Sequence, residues 1–172
     1  MNYRTVIAFV IVSLTAAVGY GAPASGELSV PASTVYISPN VRGARVGRSG
    51  VTHWKDPAMK VLWFGEIKTP GKIKCSVRMR LATGATSNLQ LTLAGQSRKA
   101  SVTGGGKDKL VTVNFGEFKI PKSGYQCFKL ESLNKAGKPF GDPAALILSG
   151  PAIKDAHFNL KPPSHAASGP LA

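Results

Sequence analysis

Between Ile73 and Leu81 every odd position is apolar or sulfur-bearing (Ile73, Cys75, Val77, Met79, Leu81), and every even position is Lys, Ser or Arg. A period of two sends the first set to one face of a sheet and the second to water, which predicts a half-buried strand. A second apolar run, residues 61–67, precedes it, and Thr69-Pro70-Gly71 between the two predicts the turn of a hairpin. The alternation recurs at Leu89, Leu91 and Leu93, then at Val111, Val113 and Phe115, and continues through Phe118 and Ile120. Shorter strand signals lie at residues 34–37, 51–54, 97–103, 125–133 and 145–148, with Ala94-Gly95-Gln96 as a tight turn. Ile73, Cys75, Val77, Met79, Leu81, Leu89, Leu91, Leu93, Val111, Val113, Phe128, Leu130 and Leu146 form the predicted core.

Beyond Ala24 no stretch free of Gly and Pro exceeds 12 residues, so helices are confined to short pieces. Strand candidates recur about every ten residues with Gly and Pro between them, and no internal repeat is present. The expected fold is therefore all-β, a two-sheet antiparallel β-sandwich of the jelly-roll type.

The amino terminus bears on compartment. Met1-Asn2-Tyr3-Arg4 is a short positive segment, residues 5–18 are almost wholly apolar, and Gly19, Gly21, Ala22 and Ala24 follow. This is the layout of a secretory signal peptide, with cuts after Gly21 or Ala24 both compatible. The apolar core, residues 6–18, is shorter than the ~20 residues a spanning helix needs, so no transmembrane segment is expected after cleavage. No Cys follows it to carry a lipid anchor. The resulting division is a signal peptide at 1–24, a Pro- and Ala-rich linker at 25–33, a β-sandwich module at 34–160 and a disordered tail at 161–172. The chain is expected to be exported, periplasmic or extracellular.

With Arg4 removed, 21 Lys and Arg face 8 Asp and Glu, a mature net charge of +13. That excess favours anionic surfaces, although most basic residues occupy even strand positions and loops, as on a solvated face. An exported chain with two cysteines invites a disulfide. Here the periodicity points Cys75 inward with Ile73 and Val77, and Cys127 outward beside Lys129, so two unpaired thiols are expected.

Catalytic chemistry has little support. The eight acidic residues include Glu66, Glu117 and Glu131 on strand faces, and Val46-Gly47-Arg48-Ser49-Gly50 has the wrong spacing for a nucleophile elbow. His53, His157 and His165 lie far apart in sequence, and no Cys-x-x-Cys occurs. Asp142 is a candidate calcium ligand, but one carboxylate does not make a site, and no cofactor is expected. Gly104-Gly105-Gly106-Lys107 lacks the Walker spacing.

Trp54 stands out, flanked by His53, Lys55 and Asp56 in a loop. An aromatic face with fixed polar neighbours suits a sugar, and the same ring equally suits an edge-packing role. Trp63 shares a strand with Val61 and Ile67 and reads as core. Arg42, Arg45 and Arg48 recur at intervals of three in a Gly-rich loop, a candidate contact for acidic groups. Aromatic residues are too sparse there for specific nucleic-acid recognition.

Residues 63–81, a strand, Pro70-Gly71 and an Arg-alternating strand, are similar to the hairpin of galactose-binding-like carbohydrate-binding modules. Ile120-Pro121-Lys122-Ser123-Gly124-Tyr125, then Phe140-Gly141-Asp142 before Leu146-Ile147-Leu148, resembles a domain of unknown function of exported bacterial proteins. That domain often stands ahead of a second uncharacterised one. Ser149-Gly150-Pro151-Ala152 and the residues from Asp155 to Pro162 resemble its end, so the similarity spans about residues 35–167. It implies a galactose-binding-like jelly roll and a role in binding sugars. The expected function is an exported, non-catalytic binding module for a glycan. The alternatives are electrostatic binding of anionic polysaccharide or an envelope surface, and a structural protein-interaction module. The expected ligand face joins loop 51–57 to loop 134–142. There Trp54 would stack, with His53 beside it, Asp56 or Asp142 would accept hydroxyl hydrogen bonds, and one of Arg42, Arg45 and Arg48 would meet an acidic group.

Overall fold

The computed structural model describes residues 26–39, 43–106, 110–138 and 140–161. It is an antiparallel β-sandwich. Among the described residues twelve strands run in chain order: β1 (Leu28–Pro31), β2 (Tyr36–Ser38), β3 (Arg45–Gly47), β4 (Gly50–Thr52), β5 (Lys60–Ile67), β6 (Gly71–Arg80), β7 (Thr86–Leu93), β8 (Gln96–Thr103), β9 (Leu110–Ile120), β10 (Gly124–Ser132), β11 (Asp142–Ser149) and β12 (His157–Phe158). One sheet has the order β1-β11-β6-β9. The other runs β12-β5-β10-β7-β8, with β2 also pairing β5, and β3-β4 form a small separate ribbon. No helix among the described residues is long and apolar enough to cross a membrane.

The period-two positions fill the space between the sheets. Ile73, Cys75, Val77 and Met79 of β6 are buried, as are Leu89, Leu91 and Leu93 of β7 and Phe128 and Leu130 of β10. Of the predicted core only Val111, near the start of β9, is half-buried. Strand β9 explains its own broken pattern. Its buried residues change from odd (Val113, Phe115) to even (Phe118, Ile120), which a regular strand cannot do. A bulge opposite Cys75 and Ser76 supplies the extra residue. Gly116 takes the required left-handed φ of 77° there, and its N–H donates to Asn114 Oδ1 at 2.8 Å.

Two expectations need correction. Strands β5 and β6 do not pair: β5 lies between β10 and the β2/β12 edge, whereas β6 lies between β11 and β9. Thr69-Pro70-Gly71 is thus a crossing from one sheet to the other and not a hairpin turn. Alternation reports which face a side chain takes and is silent on the neighbouring strand. The linker expected at 25–33 also gives way, because Leu28–Pro31 pairs with β11 from Leu148 to Ala145. Val30 and Ala32 are buried. A Pro at the end of an edge strand leaves its missing N–H facing outward, so this short Pro-containing segment can still pair. The expected signal peptide and the tail from Pro162 onward lie outside the described residues.

Cys75 and Cys127 are both free thiols. Cys75 is buried between the sheets. Cys127 alternates with the inward Phe128 and sits opposite the exposed Phe64 on the outer face.

Candidate functional site

The sandwich brings loop 53–59, which follows β4, against loop 133–141, which precedes β11, as the sequence predicted for 51–57 and 134–142. Packing sets the junction. Trp54 meets Phe140 edge to face, with centroids 5.7 Å apart. Phe140 is fully buried, and its carbonyl accepts a hydrogen bond from the buried Ser87 hydroxyl at 2.7 Å. The His53 N–H donates to Asp142 Oδ1 at 3.1 Å, from a left-handed backbone with φ 57°. Such a conformation in a non-glycine residue needs outside support, and here the Asp142 bond supplies it. At Gly50, φ 107°, a side chain would collide with the backbone of Pro143 and Ala144, so only glycine lets β4 lie this close to β11.

Between the loops lies an open cleft of about 680 Å³ whose walls include His53, Lys55, Arg80, Lys138 and Asp142. Arg80 and Asp142 are cross-strand partners at the ends of β6 and β11, and Arg80 Nη1 donates to Ser49 O at 3.1 Å. Burial pushes the Asp142 carboxyl above its ordinary range, while the His53 N–H, the His53 side chain and the Arg80 charge pull the other way. Asp142 therefore presents a fixed acceptor beside several donors, a combination suited to hydroxyl groups.

The predicted site residues divide. His53 and Asp142 come together and line the cleft. Trp54 is its floor: at 3% exposure, with its Nε1–H donated to Asp56 O at 3.2 Å, its ring has no free face for a sugar. The stacking role is thereby corrected to a packing role. Its polar sequence neighbours left both roles open, because a loop residue can still turn its ring inward. Asp56 caps its own loop, Oδ1 accepting from the Ala58 N–H at 2.9 Å, and borders a smaller neighbouring cleft with Arg45. Arg48 is exposed in the β3–β4 turn, outside the clefts' walls. Arg42 lies outside the described residues.

Sequence reasoning missed Arg80 and Lys138, and named Lys55 only as a neighbour of Trp54. Arg80 has the same even-position signature as Lys74, Ser76 and Arg78 on β6, and only the strand's length carries it to the cleft. For calcium, Asp142 finds no support in a cluster: no group of three or more His, Cys, Asp or Glu placed to hold a metal occurs among the described residues.

Solved structures share this architecture. A family 35 carbohydrate-binding module from Cellvibrio japonicus Abf62 superposes with a TM-score of 0.59 at 13% identity, covering 77% of this chain and 97% of that one. A family 35 module from Clostridium thermocellum gives 0.57 at 13% identity, covering 72% and 98%. A further family 35 module, Xyl-CBM35, solved with a glucuronic acid-containing disaccharide, gives 0.55 at 14% identity, covering 76% and 96%. At these identities the likeness is one of fold. No curated protein matches the sequence. The family model that does match covers residues 30–153, most of the sandwich and both loops of the cleft, and by it the chain belongs to the family described as Domain of unknown function (DUF5077).

Proposed function

We propose that this chain is an exported, non-catalytic carbohydrate-binding module that holds its ligand in the cleft between loops 53–59 and 133–141. The observation that carries the reading is the Asp142 constellation. A half-buried carboxylate is fixed by the His53 N–H and flanked by Arg80, at the loop end of a sandwich whose fold is similar to that of solved carbohydrate-binding modules. Convergent donors and acceptors on rigid strand ends recognise ring hydroxyls by direct hydrogen bonds. With Trp54 and Phe140 buried, the cleft recognises its ligand by polar contacts and not by ring stacking. Lys55 and Lys138 add positive charge at the rim, which favours sugars carrying an acidic group.

Affinity electrophoresis of the mature chain through neutral and acidic polysaccharides tests this. Retardation by at least one glycan is expected, reduced by Asp142→Ala and by Lys138→Gln without a comparable loss of thermal stability. Failure to bind any glycan at millimolar concentration would refute it.

A further inference from the structure

The central cleft does not stand alone. His53 and Lys55 form a wall shared with the smaller cleft, of about 360 Å³, that Arg45 borders. On the other side Lys138 forms a wall shared with a third cleft of about 540 Å³, bordered by Asn88, Leu133, Asn134 and Lys135. Resting on the carbohydrate-binding reading above, we propose that the three clefts are one track for an acidic polysaccharide, which crosses the loop end with several consecutive sugar residues seated and does not enter by its terminus.

Three observations carry this. The clefts are contiguous and none is enclosed, so no wall stops a chain at either side. Charge runs the whole length: Arg45 in one cleft, Lys55 and Arg80 in the centre, Lys138 at the second boundary and Lys135 beyond it. The ion pairs of the described residues lie elsewhere, at Lys60, Lys72, Arg78, Lys129 and His157. Asp56 and Asp142, the acids of the track, each engage a backbone N–H. Arg80 is partly engaged, by Ser49 O and by Asp142, whereas Arg45, Lys55, Lys135 and Lys138 are in none of these ion pairs and are left for a partner whose own charges repeat along a chain. The third cleft adds a rigid polar wall to the track. Asn88 Nδ2 donates to Asn134 Oδ1 at 2.9 Å, and Asn134 Nδ2 donates to Thr86 O at 2.9 Å, so the amides are held in place. Leu133, 45% exposed at the rim, offers an apolar surface to C–H groups.

The test is calorimetric titration of the mature chain with galacturonic acid, its linear hexamer and a neutral glucose hexamer. Linked sites gain avidity from a shared ligand, so the acidic hexamer should bind at least about tenfold tighter than its monomer. Arg45→Gln and Lys135→Gln, in the two outer clefts, should each weaken the hexamer about two- to fivefold more than the monomer, the scale of one exposed ion pair. Lys74→Gln, a charge-matched change six residues before Arg80 in the half of β6 away from the track, should leave both affinities as they are. Equal affinity for acidic monomer and hexamer overturns the track while the central cleft stands. A neutral hexamer binding as well as the acidic one, or single-stranded DNA of equal charge binding as well, overturns the assignment to an acidic polysaccharide. No binding of any of these together with failure of the polysaccharide panel overturns both proposals.

Discussion

Trp54→Ala separates a packing residue from a binding residue on one protein. The ring is 3% exposed, meets Phe140 edge to face at 5.7 Å and holds the Asp56 carbonyl through its N–H. Truncating a buried Trp to Ala costs about 3 to 5 kcal/mol, a range that includes the cavity left behind. A domain of this size loses roughly 3 to 4 °C of melting temperature per kcal/mol. The expected shift is therefore a fall of about 10 to 20 °C, followed by differential scanning calorimetry. Trp54→Phe keeps a ring against Phe140 and removes the indole N–H, so it should cost only about 1 to 2 kcal/mol. Because loop 53–59 rests on that ring, Trp54→Ala should also weaken glycan binding, while Trp54→Phe should largely preserve it. Loss of binding in Trp54→Ala with the melting temperature lowered by less than about 4 °C would refute the argument, since only a ring free to stack behaves that way.

The remaining expectations concern charge, thiols and the core. Asp142 titrates above its ordinary value of 3.8 in the folded chain, so its contribution to stability is present at low pH and is lost as pH rises through the folded value. Asp142→Asn should accordingly gain on the native protein as pH rises from 3 to 7 in urea titrations, and the opposite trend would contradict the burial argument. Burial pushes the Cys75 thiol up to about 12. Iodoacetamide at neutral pH should therefore reach the half-buried Cys127 first and Cys75 only on unfolding, as read by mass spectrometry of peptides. Leu91→Ala and Phe128→Ala, at positions with no exposure, should each cost about 2 to 5 kcal/mol in denaturant unfolding. A change below about 1 kcal/mol at both would mean that the register of β7 and β10 is wrong.

Strand existence was legible because a two-residue period needs only one buried face, and β6, β7, β9 and β10 each have one. Even the bulge in β9 was written in the chain, as the step from Phe115 to Phe118 with Gly116 between. Partnership was not legible. Pro70-Gly71 suits a tight hairpin and a sheet-to-sheet crossing equally well, since both need only a sharp change of direction. Strand β1 escaped notice because four residues give too little alternation to count, and an edge strand is held mainly by backbone hydrogen bonds that any sequence can make. Trp54 stayed open between two roles for a related reason. The polarity of His53, Lys55 and Asp56 describes the loop's backbone position, while the destination of the ring depends on Phe140, 86 residues away.

The same distinction explains why the candidate site was only half readable. His53 and Asp142 were visible because their loops were recognisable as loops at one end of a sandwich. Arg80 became part of the site only because β6 sits beside β11, which makes Arg80 and Asp142 cross-strand partners. In a β5–β6 hairpin, Arg80 would instead lie near the start of β5, where Lys60 already pairs with Glu131 at 3.7 Å. The guanidinium would then stand among strand-face charges, and Asp142 would lose its cationic neighbour. The crossing at Pro70-Gly71, at the opposite end of the molecule, thus decides the electrostatics of the cleft. Lengthening or shortening that connection should disturb binding through the register of β6, even though no residue of the connection lies near the ligand.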